Sequence, residues 1–206
     1  VELTGLQADT AYVYRVAHRA VGGTEFTAGT GHTFHTQRTS GAAFTFVVQA
    51  DFHYQDSTSN SAAVYGATVG NLLNDHPDFL LDLGDTFMTE KFVPDPTTSA
   101  VMDSVAKGLR ASSFSLFGAS VPLLLATGNH DSELGWLLDA TAPTDNRAVW
   151  STTARETYFP SPVPGGFFSG SSETDPYVQE RRNSYYAFTW GSALFVVLDP
   201  YWYTMT

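Results

Sequence analysis

Three runs of apolar, branched and aromatic residues each break off into a short polar motif, and that recurrence limits the fold more than any other feature. Phe44-Thr45-Phe46-Val47-Val48 leads into Asp51-Phe52-His53. Phe79-Leu80-Leu81 leads, through Asp82 and Leu83, into Gly84-Asp85. Val121-Pro122-Leu123-Leu124-Leu125 leads into Gly128-Asn129-His130-Asp131. Runs of this length and composition suit buried strands. Between the first two, Ala62, Tyr65, Val69, Leu72 and Leu73 form a helical stripe, with Ser57 or Ser59 as the expected N-cap. A second helix is expected over 99–117, weakened by Gly108 and a serine-rich middle. Strands alternating with helices imply an α/β fold with a parallel βαβ core. In such sheets ligands bind outside the carboxyl ends of the strands, and all three motifs sit at that end.

The later part of the chain is less regular. Residues 132–183 are a long, Pro/Gly-rich insertion with one short helix expected near 145–154. Loops of that length are usually functional or disordered. Two strands are expected at 184–190 and 193–198. Tyr201, Trp202 and Tyr203 follow the second of these and read either as a pocket lining or as core packing. Arg181-Arg182 reads as a phosphate contact or, more plainly, as a solvated pair.

The residue types in the three motifs suit a metal centre that handles phosphate esters. Such an ester is anionic and repels an incoming nucleophile. Two cations about 3.5–4 Å apart neutralise it and lower the pKa of bound water from about 15.7 towards about 7. Hard oxygen donors and imidazoles serve such ions, with one carboxylate reaching both. Asp51 and His53 can turn towards one ion where strand gives way to loop. Asp85 is the natural bridge, because Gly84 lets the backbone approach closely. Asn129 offers a carbonyl oxygen to the second ion. His130 is left to contact the phosphate or the leaving oxygen. Asp131 has two readings, orienting His130 by a hydrogen bond or capping the segment that opens with Glu133-Leu134; His130 and Asp131 are the candidate catalytic residues. His18, His32, His35 and His76 read as structural or exposed.

With these motifs, residues 44–199 resemble the calcineurin-like metallophosphoesterases, whose pattern runs D-x-H, G-D and G-N-H-[DE]. The resemblance implies an αββα sandwich, of which 42–206 is the N-terminal part. It also implies two metal ions (Fe, Mn or Zn) and hydrolysis of a phosphate mono- or diester by a metal-bridging hydroxide. Met88 stands where purple acid phosphatases carry a metal-binding tyrosine, and Asp85-Thr86-Phe87 lacks the Asp-Arg-Gly of the protein phosphatases, so neither subfamily is matched. The family draws further histidines from motifs after the strand matching Phe195–Leu198, and no histidine follows His130 here. The expectation is a catalytically incomplete fragment that holds at most one ion weakly until about 100 further residues are added. Residues 1–38 resemble the end of a fibronectin type III-like domain. Tyr12 sits as in a tyrosine corner, Phe26 to Thr36 forms the last strand, and the remaining strands are expected before Val1. Thr39-Ser40-Gly41 reads as the linker.

Charge narrows the partners. The net charge of −11 comes from 21 acidic and 10 basic residues, so no basic stripe is evident for nucleic acid. No apolar run approaches the roughly 18 residues of a membrane span. With no cysteine, disulfides and thiolate ligands are ruled out. A small phosphate ester is the expected partner. A sandwich module fused to a hydrolase suggests a secreted, periplasmic or cell-surface location, by analogy alone. Two other readings stay open: a non-catalytic adhesion module with a decayed second domain, and a nucleotidase or cyclic-nucleotide diesterase of the same fold.

Overall fold

In the computed structural model, residues 3–89, 92, 97–117, 119–131, 145–159, 161–175 and 184–200 are described. The fold is mixed α/β, with three small sheets and three helices among these residues.

Its centre is a parallel sheet of β3 (Phe46–Gln49), β4 (Phe79–Asp82) and β5 (Leu123–Leu125), with β4 in the middle. Helices α1 (Ala62–Asn74) and α2 (Ser99–Phe117) make the two crossovers. Right-handed crossovers between sequential parallel strands put both helices on one face, and the side chains follow. Val47, Leu80, Leu123 and Leu125 meet Tyr65 and Val69 of α1 and Leu109 and Phe117 of α2. The alternate residues Phe79, Leu81 and Leu124 face the other way. There they meet an antiparallel sheet of β6 (Phe168–Gly170), β7 (Tyr186–Trp190) and β8 (Ala193–Val197). Phe79 is fully buried, with ring centroids 5.0 Å from Trp190 and 5.2 Å from Phe195. A strand buried on both faces reads as an unbroken apolar run, which explains Phe79-Leu80-Leu81.

The helix caps correct one detail of the sequence reading. Ser61, not Ser57 or Ser59, caps α1 by accepting the Val64 N–H at 3.4 Å. The turns formed by 54–60 absorb the two earlier serines. The short helix expected near 145–154 is α3 (Arg147–Tyr158), capped by Asn146 and packed through Ala154 on Met102 and Ala106 of α2. Strand β6 lies inside the stretch expected to be only loop and helix.

β1 (Ala11–His18) and β2 (Thr27–His35) form a separate antiparallel hairpin. The Tyr12 hydroxyl accepts the Gln7 N–H at 2.9 Å. Polar links join the hairpin and the segment after it to the rest. Tyr14 donates to the Ala119 carbonyl at 2.6 Å. Arg38 bridges Asp9 at 2.8 Å and buried Asp78 at 2.6 Å. Gly41 donates to Ser192 in the β7–β8 turn at 2.8 Å.

Candidate metal centre

The loops leaving β3, β4 and β5 touch one another. Beyond the last strand residues, the Asp51 N–H donates to the Gly84 carbonyl at 3.0 Å, His53 to Asp85 at 3.0 Å, and Tyr54 to Thr86 at 2.8 Å. This alignment twists the backbone into an uncommon region. Asp51, His53 and Asp85 have φ of +56°, +52° and +56°. Asp and His tolerate such left-handed conformations better than most side chains, and strain of this kind gathers at functional sites. Gly84, at φ +103°, faces Gly128 so closely that a Cβ on Gly84 would strike the Gly128 backbone nitrogen. A Cβ on Gly128 would in turn strike the Asp85 carboxylate. Both glycines are therefore needed for the second and third loops to meet.

Three candidate ligands converge. Donor atoms of His53, Asp85 and His130 all lie within 4.8 Å of one another. The two imidazole rings stand 5.5 Å apart, near perpendicular at 73°. His53 Nδ1 lies 3.1 Å from Asp56 Oδ2, and Asp56 is held in turn by Asn60 at 2.7 Å. With Nδ1 donating to Asp56, the His53 Nε2 lone pair faces outward, as in carboxylate–histidine–metal triads. Asp85 accepts the His130 backbone N–H at 2.7 Å, which ties the second ligand to the third. Burial pushes the Asp85 carboxyl above the ordinary carboxylate range, partly offset by that N–H. A cation at this point would favour its ionised form.

The other expected site residues fall around this group. Asp51 is exposed, outside the converging three, though its charge bears on Asp85. Asn129 is half-buried between Gly128 and His130. Asp131 lies beneath the site, 2% exposed. One carboxylate oxygen accepts the Asp85 N–H at 2.8 Å and the Gly128 N–H at 2.9 Å. The other takes Arg155 at 2.7 Å. These bonds direct Asp131 at the backbone of two loops and at Arg155; the segment it would cap lies outside the described residues. Arg181, Arg182, Tyr201, Trp202, Tyr203, Glu133 and Leu134 lie outside the described residues. Met88 is buried, 1% exposed.

Three participants escaped the sequence reading. Asp56 follows His53 by only three positions, the strongest local signal of the three. Arg155 is 24 residues from Asp131, with no local pattern linking them. Asp82, the last residue of β4, belongs to no site motif in the sequence. It is 1% exposed, and accepts from Gly84 N–H at 2.9 Å, Thr86 hydroxyl at 3.0 Å and Gln49 amide at 2.6 Å. Burial pushes its pKa up to about 6.

Comparison with protein-family models, curated proteins and solved structures returns no match.

Proposed function

We propose that this chain carries a metal-dependent hydrolase of small phosphate mono- or diesters, of the calcineurin-like metallophosphoesterase type. The observation that supports it is the convergence of His53, Asp85 and His130 from three loops at the carboxyl ends of three parallel strands. Two imidazoles and a carboxylate suit Fe, Mn or Zn. When bound, a pair of such ions would neutralise the ester and supply an activated water near neutral pH.

The chain's own residues hold and orient. Asp56 fixes the His53 ring, and Asp85 anchors the loop of His130 through its backbone N–H. In this reading His130 belongs to the metal shell and does not stand off beside the leaving oxygen. Asp51 flanks the group on the loop of His53 and is assigned to the same ion, and Asn129 is the side chain we assign to a second ion, with Asp85 serving both. The sheet and helix layers around β3, β4 and β5 are what an αββα sandwich would need on one side.

The test is metal-dependent release of nitrophenol from an aryl phosphate and from its diester, using protein purified from cells that express the native gene. We expect turnover that chelators abolish and that Asp85→Asn and His130→Ala each eliminate. Chelator-insensitive turnover, or turnover that survives Asp85→Asn, would contradict the proposal.

A further inference from the structure

We infer that Arg155, in the last turn of α3, is a positioning residue that orders the metal centre through Asp131. The inference rests on the metal-centre reading above. Asp131 Oδ2 receives the backbone N–H groups of Asp85 and Gly128, so a single carboxylate oxygen joins the loops that carry Asp85 and His130. That side chain is buried together with two other carboxylates, Asp82 and Asp85. A buried carboxylate in such company is held in place by a hydrogen-bonded countercharge. Arg155 supplies it at 2.7 Å, with its own side chain only 13% exposed. Its second terminal nitrogen reaches the Ala126 carbonyl, just past β5, at 3.3 Å. The planar guanidinium is thus pinned at two points, which an ammonium group cannot reproduce. Its place near the carboxyl end of α3 also favours a cation.

Removing Arg155 has two opposed effects on a bound cation. Loss of a positive charge, taken alone, strengthens attraction to a metal ion. Loss of the clamp lets Asp131 swing away and frees the Asp85 and Gly128 backbone. Because Asp131 bonds directly to both ligand-bearing loops, loosening prevails, and metal binding weakens.

Two measurements separate these effects. The first is Mn²⁺ affinity, from the electron paramagnetic resonance signal of free Mn²⁺, for wild type, Arg155→Met and Arg155→Lys. The second is amide hydrogen exchange at Asp85 and Gly128 in the metal-free proteins, by NMR. For Arg155→Met we expect affinity lowered about 10–100-fold, the range for groups behind a metal ligand. Exchange should quicken at Asp85 and Gly128 while the amides of β4 and α2 keep wild-type rates. Arg155→Lys should fall between the two proteins on both measures. Unchanged or tighter Mn²⁺ binding in folded Arg155→Met, or wild-type exchange at both amides, would overturn the inference. If Arg155→Met does not fold, wild-type values in Arg155→Lys overturn it. Absence of Mn²⁺ uptake by wild type defeats the metal reading itself, and the exchange data then still decide whether Arg155 orders the loops.

Discussion

Asp82 shows how a residue beneath the site destabilises the fold. Its unfolded value is 3.8 and its folded value about 6, so the folded protein holds this proton more tightly. Below both values it imposes no penalty. As pH rises between them the unfolded chain ionises first, and stability falls by about 1.4 kcal/mol for each pH unit crossed. Above the folded value the loss is complete. Asp82→Asn keeps a carbonyl for the Gly84 N–H and the Thr86 hydroxyl. Its amide can serve Gln49 Oε1, which is buried without a partner among the described residues. Urea midpoints at pH 4 and pH 7.5 should therefore fall with rising pH more in wild type than in Asp82→Asn, and equal slopes would refute this role for Asp82. Asp85 is raised in the same direction and remains in both proteins, so it cancels in the comparison. At this scale the sequence displayed the ligand types, because motif and strand end lie side by side in the chain. It concealed their supports. Asp131 has two local readings in the sequence, and neither points to Arg155, 24 residues away.

Elements were more legible than their ends. The apolar runs and the stripe of α1 have the periodicity of what they form, so β3, β4, β5, α1 and α2 could be read directly. Strand β6, three residues long, contains only Phe168, Ser169 and Gly170 and carries no alternation; its pairing with β7 makes it a strand. Caps are chosen by hydrogen-bond geometry among several eligible serines, which explains Ser61. The same geometry ranks the helices. Asn146 caps α3 at 3.1 Å, whereas Ser61 caps α1 at 3.4 Å. A well-formed cap contributes about 1 kcal/mol. Asn146→Ala should lower stability by about that amount and Ser61→Ala by less, measured by urea denaturation. The reverse order would contradict the cap assignments.

Across the whole molecule, no described residue of the β1–β2 hairpin belongs to the three buried apolar clusters. Val13 and Val16 point outward, 77% and 64% exposed. Cavities of about 450 and 370 Å³ lie where the hairpin meets the α/β layers. Polar links therefore carry much of the attachment. Arg38→Ala strands an oxygen of buried Asp78, a loss of about 1–3 kcal/mol, reduced towards the lower end because Arg38 is 30% exposed. Cleavage by a protease near Thr39–Gly41 should accelerate in Arg38→Ala, while β4 keeps its wild-type hydrogen exchange. Equal cleavage rates would show that Arg38 does not hold the hairpin. No described helix is long and apolar enough to cross a membrane.

Whether three strand-end loops build one metal centre is decided by Mn²⁺ titration of the protein and of His53→Ala, Asp85→Asn and His130→Ala. Wild type should bind saturably. Each substitution should weaken binding by more than the about 10–100-fold seen for residues behind a ligand. His130→Ala is the most discriminating, because the sequence motif alone leaves His130 outside the metal shell. Absence of Mn²⁺ binding by wild type, or full binding by all three variants, would refute the metal centre.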